Sequence, residues 1–238
     1  MLKTNLHFHA GDDPEHQLEY TVRDGIDRAH ALGFQVLALT CHHVVLATPE
    51  DEGYARERGI LLIPGVELSV EDCHVVVLNV GRDIESVRTF GALAAYRREH
   101  PECFVIAPHP YFGFGLSLGK ELERHRSCFD AVECSWFHSR TFDRNTRAER
   151  FARDNALPYL AASDTHFLRY LDTAYAYIDA SEPTAPAVFA AIREHRFTNI
   201  SPSIPFWRTM VFDIAFHEVG DRMRRMVGMT KKKKHPAL

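Results

Sequence analysis

The stretch Asn5-Leu6-His7-Phe8-His9 ends the first apolar segment of the chain, and its reading governs the rest. In an extended strand the side chains at i and i+2 share a face, so the imidazoles of His7 and His9 face one point. A metal ion suits that point.

A lone His-x-His pair is a weak signal, and its weight comes from the rest of the chain. Ligand-type residues recur beside apolar, β-branched runs: His42 and His43 after VLALT, Glu67 after ILLIPGV, His74 before VVVLNV, His109 after FVIAP, and Asp164 and His166 after LPYLAAS. When such residues sit at the same end of successive strands, a parallel α/β barrel gathers them in one mouth.

The chain has 238 residues, 45% hydrophobic and 25% charged, enough for one large domain or one domain with an appendage. A net charge of −4 provides no global basic field for nucleic acid, whereas fifteen histidines point to metal or proton chemistry. Cys41, Cys73, Cys103, Cys128 and Cys134 form no Cys-x-x-Cys pair, which argues against a disulfide framework or a zinc ribbon and for reduced, buried thiols. No apolar run is long enough to span a membrane, and the chain opens on a strand without the apolar core of a signal peptide. A soluble cytoplasmic protein is expected.

Strand and helix patterns alternate. Residues 3–9 read as a strand. Gln17 to Leu32 reads as a helix, with Leu18, Val22, Ile26 and Ala29 on one face and Gly33 closing it. Gln35–Thr40 is a strand and Pro49–Arg58 a helix, while Ile60–Val66 and His74–Val80 are continuous apolar runs of the kind buried on both faces. Ile84–His100 reads as a helix, Cys103–Ala107 and Ala131–Cys134 as strands, and Phe142–Asn155 as a helix. Tyr159–Ala162 and Ala174–Asp179 are strands, and Pro186–His195 a helix. This alternation predicts an α/β chain with a parallel sheet or barrel.

Ile204 to Val227 places Trp207, Met210, Val211, Ile214 and Ala215 on roughly one helical face, as for a helix packed on the barrel exterior. Lys231–Lys234 begins a basic tail that reads as a solvated, disordered end. The expected organisation is a barrel domain over 1–200, a C-terminal helix over 201–230 and the tail over 231–238.

The series His7-x-His9, Leu39-Thr40-Cys41-His42, Gly65-Val66-Glu67, His74, Ala107-Pro108-His109-Pro110 and Ser163-Asp164-x-His166 resembles the PHP (polymerase and histidinol phosphatase) superfamily over residues 1 to about 180. Glu133 through His166, with Ser139-Arg140 and Asn145, resembles the PHP-associated C-terminal half of small stand-alone members. The resemblance implies a distorted (β/α)7 barrel with a metal cluster at the C-terminal ends of the strands. It also implies two or three divalent ions per chain (zinc, manganese or iron) and phosphoester hydrolysis through a metal-activated water. By position, His7 and His9 would hold one metal with Asp164 and a bridging Glu67. Asp12 or Asp13 would hold a second with His42 and His166, His16 being a further candidate. Glu67, His74 and His109 would complete a third. Glu67, Asp164 and His166 are the expected catalytic residues. Where the family often has an aspartate, this chain has Cys41, read as a small buried residue.

Imidazole and carboxylate donors independently suit zinc, iron or manganese. A phosphoesterase also needs cations for the phosphate oxygens that the metals leave free, and guanidinium gives a bidentate grip. Arg140 is the first candidate, followed by Arg169 and by Lys120; His43 faces either the substrate or solvent, or supports the cluster. The aromatic and glycine-rich segment from Tyr111 to Leu116, with Trp136, Phe137 and His138, could line a nucleotide-sized pocket.

The expected function is metal-dependent hydrolysis of a phosphate ester of a small molecule or nucleotide, without membrane partners and with nucleic acid less favoured. The alternatives are a metal-dependent nuclease, an amidohydrolase-like hydrolase, and a non-catalytic metal-binding PHP module. The sequence leaves the oligomeric state open.

Overall fold

Local chemistry sets where the helices begin. Thr21 and Thr48 each accept a hydrogen bond from the amide three residues on, while the carboxylates of Asp24 and Asp51 accept one from the threonine amide. These caps start α1 (Val22–Ala31) and α2 (Pro49–Arg56), the second with proline in its first turn. The computed structural model describes residues 1–204 except 17, 114, 115 and 141, and a compact unit spans Met1–Ser203. The expected C-terminal helix and basic tail lie, from residue 205 onward, outside the described residues.

The strands are β1 (Leu2–Phe8), β2 (Val36–Leu39), β3 (Leu61–Val70), β4 (Cys73–Leu78), β5 (Phe104–Ala107), β6 (Ala131–Ser135), β7 (Tyr159–Ala162), β8 (Tyr175–Ile178) and β9 (Phe197–Ile200). The remaining α-helices are α3 (Phe90–Glu99), α4 (Lys120–Arg124), α5 (Asn145–Asp154) and α6 (Ala185–Arg193). One sheet runs in the order β7-β6-β5-β4-β3-β2-β1-β8-β9. Its edges are joined by a side chain: the Asn199 carboxamide in β9 accepts from the Ala161 amide (2.9 Å) and donates to the Tyr159 carbonyl (2.8 Å). The chain is therefore a mixed α/β protein with a nearly closed, barrel-like sheet.

The expectation of a parallel sheet is corrected in part. β1, β2 and β3 are parallel, as are β5, β6 and β7, but β4 runs antiparallel to β3 and β5, and β8 antiparallel to β1 and β9. The two apolar runs that read as separate buried strands are the arms of a hairpin. Its tip is Glu71 and Asp72, both at positive φ (48° and 63°), the conformation that matches a two-residue turn to the twist of its strands. This reversal explains why His74 precedes its apolar run while Glu67 lies late in its own strand: both are at the same mouth.

The helix expected over 84–100 is broken. Residues 82–86 form a 3-10 turn, Val87 is extended, and Thr89 caps α3 by accepting from the Ala92 amide. The hairpin tip enforces the break, since the Glu71 amide donates to the Arg88 carbonyl and the Glu71 carboxylate accepts from the Phe90 amide.

Period-two alternation sorts the barrel into two ends. Ile63 and Glu67 share one face of β3, Leu78, Val76 and His74 one face of β4, and Ala131 and Glu133 one face of β6. The apolar members pack with Phe104, Ile106 and Leu160 against Val188, Phe189 and Ile192 of α6, which closes the bottom. The rings of Phe104 and Phe189 stack at 4.7 Å. Gly65, between the two ends, is required by close approach: a Cβ there would lie 2.8 Å from Leu78 Cδ2 and 3.0 Å from the Val77 carbonyl oxygen.

Candidate metal centre

His7 and His9 leave β1 with their Nε2 atoms 3.1 Å apart. Both nitrogens face Glu67 Oε2 (3.2 and 3.3 Å) and Asp164 Oδ1 (3.4 and 3.3 Å). Their other ring nitrogens are occupied. His7 Nδ1 donates to Glu133 Oε2 at 2.7 Å, and His9 Nδ1 to Asp13 Oδ2 at 2.9 Å. A carboxylate behind an imidazole fixes its tautomer and turns the Nε2 lone pair inward, the arrangement characteristic of metal-ligating histidine.

Glu67 sits at the centre, with its two oxygens turned to different neighbours. Oε2 faces His7, His9 and His42 Nε2 (3.2 Å), whereas Oε1 faces His74 Nδ1 (2.8 Å) and His109 Nε2 (3.2 Å). Despite the short distance, His74 Nδ1 and Glu67 Oε1 are not aligned for a hydrogen bond, and neither His74 ring nitrogen has a hydrogen-bond partner. Asp164 Oδ1 and His166 Nε2 are likewise buried and unpartnered. Buried polar atoms in this state are costly unless something else satisfies them. A divalent cation fits: all these donors are imidazole nitrogens or carboxylate oxygens. Among the described residues four overlapping groups could each, taken singly, hold an ion: His7, His9, Glu67 and Asp164; His9, His42 and His166; Glu67, His74 and His109; and Glu15, His42 and His74.

The structure brings neither Asp12 nor Asp13 into such a group. Asp12 is exposed. Asp13 is buried, but its oxygens accept from His9 Nδ1, from His42 Nδ1 (3.0 and 3.1 Å) and from the His42 amide (3.0 Å), which makes it a support that orients two imidazoles. The acidic place beside His42 is filled by Glu15, which the sequence did not single out; its Oε2 lies 3.9 Å from His42 Nε2 and its Oε1 2.7 Å from His43 Nε2. His16 is at the periphery, its ring edge-on to His166 at 4.4 Å.

Glu133 is the other residue missed. It is fully buried, holds His7 and accepts from the His109 amide at 3.2 Å. A carboxylate inside the apolar strand AVECS was the available signal, because a buried charge requires partners. Cys41 is buried, and its thiol donates to the Ala10 carbonyl, a structural contact. Tyr20 adds another support, donating its hydroxyl to the His9 carbonyl at 2.8 Å.

Electrostatics follow from this crowding. Burial alone would lower the His7 pKa, but Asp164, Glu67 and Glu133 outweigh it and raise it to about 10. His42, opposed by burial and by the charge on His9, is held at about 9 by Asp13 and Glu67. Burial would raise Glu67, yet His74, His7 and the other imidazoles keep it well below the carboxylate range. Burial and the charge on His9 push His166 well below the usual histidine value. Its Nδ1 lies 3.1 Å from the Asp164 carbonyl oxygen, so Nδ1–H donates there and a neutral Nε2 lone pair remains.

Backbone strain collects at the same place. His43, His109 and Asp164 have φ of 60°, 27° and 44°, sparsely populated for residues other than glycine. The expected substrate residues lie outside the convergent set. Arg140 is exposed in the loop after β6, and Lys120 is exposed at the start of α4. Arg169 is exposed after β7, its guanidinium over the rings of Phe167 and Tyr170 at 4.8 and 5.0 Å. Among the described residues no helix is long and apolar enough to cross a membrane.

A PHP-associated family model, PHP_C, matches residues 142–197. No curated protein matches the chain. Among solved structures it is similar to a two-domain protein of Bacteroides vulgatus containing a predicted PHP-like metal-dependent phosphoesterase. That match has 18% identity and a TM-score of 0.64, and covers 83% of this chain and 64% of that one. It is similar to PsfC of Pseudomonas syringae at 15% identity and a TM-score of 0.66, covering 92% and 98% of the two chains. It is also similar to the lesion-specific endonuclease PfuEndoQ of Pyrococcus furiosus, at 14% identity and a TM-score of 0.62, covering 81% of this chain and 56% of that one. The chain thus spans less than two thirds of the first and third of these proteins, and at such identities the likeness is one of fold. The chain is thus similar in fold to PHP-like proteins, and its residues 142–197 are similar to the PHP-associated region.

Proposed function

We propose that the chain is a metal-dependent hydrolase of phosphoester bonds. The observation that carries this reading is the two-way carboxylate of Glu67, whose oxygens face separate sets of imidazoles and so suit it to bridge neighbouring ions. His7, His9 and Asp164 would share one ion with Glu67, while His74 and His109 would share another on its far oxygen. His42 and His166 would supply the imidazoles of a further place, since His9, with Nδ1 on Asp13, has only Nε2 to give and can serve one ion. When bound, neighbouring divalent ions clamp phosphate oxygens and acidify water, chemistry suited to in-line displacement at phosphorus.

The chain's own residues do the rest. Glu133 and Asp13 hold three imidazoles in one tautomer. Asp164, its carboxylate well below its usual pKa, supplies a full negative charge that would hold a cation. Burial would raise Asp164, but His7 and His166 outweigh it. The pair of His43 with Glu15 stands at the half-buried rim, where His43 can meet a substrate oxygen. Arg140 and Arg169, on the loops after β6 and β7, are the cations proposed for the far side of the phosphate.

The test is metal content by elemental analysis together with hydrolysis of an aryl phosphate monoester and diester, with and without manganese, on one preparation. Bound metal with metal-dependent phosphate release supports the reading. Turnover of amides or lactones and not of phosphate esters would transfer it to an amidohydrolase-like reaction, and cleavage of oligonucleotides alone to a nuclease.

A further inference from the structure

A cavity of about 300 Å³ is lined by Tyr111, Asp143, Arg144, Thr146, Arg147 and Arg150, none of them a residue of the candidate metal centre. Its volume is at the low end of ligand pockets. We infer that this cavity is a binding site for a phosphate-type oxyanion, taken either as the free ion or as the terminal phosphate of a larger molecule.

Three features support the site. Arg144, Arg147 and Arg150 are spaced by three, so consecutive turns at the start of α5 bring their guanidinium groups along one face. Guanidinium presents a planar fork of donors that matches phosphate oxygens. Arg147 is already positioned, lying over the Tyr111 ring at 4.0 Å, with Glu123 at 3.2 Å on its exposed side. Tyr111 is only 8% exposed, and its hydroxyl has no hydrogen-bond partner although it belongs to a residue lining the cavity. A phosphate oxygen would satisfy that donor.

The one acidic residue of the lining is committed elsewhere. Asp143 accepts from the Asn145 amide at 2.7 Å and from the Thr146 hydroxyl at 2.7 Å, so it caps α5, and the amides at the helix start offset its charge. Short stretches of chain and one side-chain link connect the site to elements that carry the metal centre. Tyr111 is two residues beyond His109, and the Asn145 side chain holds the Ser135 amide and carbonyl, two residues beyond Glu133.

The experiment is calorimetric titration of the metal-loaded full chain with inorganic phosphate, and separately with adenosine monophosphate. Wild type is compared with Arg144→Gln/Arg150→Gln and with Tyr111→Phe, with metal content as the control for folding. Both arginines are exposed, and Tyr111→Phe conserves the ring. The expected result is a phosphate-binding event weakened ~10-fold or more in the double variant, as for lost charge-assisted hydrogen bonds, and a smaller loss in Tyr111→Phe. Adenosine monophosphate binding more tightly than phosphate, with the same sensitivity, assigns the site to a larger phosphorylated ligand; binding of phosphate alone assigns it to the free ion. Phosphate affinity and stoichiometry equal to wild type in the double variant would overturn the site. That outcome is separate from a failure of the hydrolase reading, which shows as absent turnover.

Discussion

The two ends of the barrel are built from the same strands and obey opposite rules. At the bottom, Phe104, Val188, Phe189 and Ile192 are at most 1% exposed, and they carry no polar side-chain atom to satisfy. At the mouth, side chains almost as deeply buried are histidines and carboxylates, several without hydrogen-bond partners, on a backbone strained at His109 and Asp164. The bottom contributes stability through apolar burial. The mouth costs stability and is held in place by the rest of the fold, as functional sites commonly are.

This contrast can be broken from either side. The largest expected effect is at the mouth: His9→Ala or Asp164→Ala should abolish metal-dependent hydrolysis while the melting temperature changes little. Full activity with unchanged metal content in either variant would remove these residues from the centre. At the bottom the order inverts. Phe189→Ala should lose ~3–5 kcal/mol of stability by opening a cavity against Phe104, read by chemical denaturation, with metal stoichiometry retained in the protein that remains folded.

Glu133→Gln sharpens the boundary between the two ends. It keeps the shape but removes the charge behind His7, and should weaken metal affinity by about 10–100-fold, the range for lost support of a ligating histidine. A metal titration followed by elemental analysis reads it, and an unchanged affinity would make Glu133 a packing residue only.

The smallest effect is on pH. With His7 and His42 raised to about 10 and about 9, the metal-free protein carries protons at these imidazoles near neutrality. Metal uptake must displace them, so protons are released on binding and apparent affinity rises with pH up to those values. Manganese titrations at about pH 6.5 and about pH 8.5 should differ in that direction, and equal affinities would contradict the charge state described.

Much of the fold and the site is legible in the sequence because ligand-type residues at the edges of apolar runs are conspicuous: His7, His9, Glu67, His74, His109 and Asp164 stand out that way, and the structure brings them together. Direction is not legible, since an apolar run reads the same forwards and backwards, and nothing in VVVLNV marks β4 as the reversed strand. β9 escapes notice because its four residues are half-exposed and lack a clear alternation. Which acid beside His9 does what depends on loop geometry: Asp13 turns inward behind two imidazoles, and Glu15 reaches His43 from two residues further on. Sequence spacing carries no such information. Glu133 is legible in principle, but a charge inside an apolar run is a subtler mark than one at its end.

The most direct test of the central claim, that Glu67 bridges neighbouring metal ions, is the number of manganese ions bound per chain in wild type and in Glu67→Ala, measured by elemental analysis after reconstitution. More than one ion per wild-type chain is expected, with a loss of at least one in the variant and far-UV circular dichroism unchanged. Equal stoichiometry in the two proteins, or no bound ion in either, would contradict it.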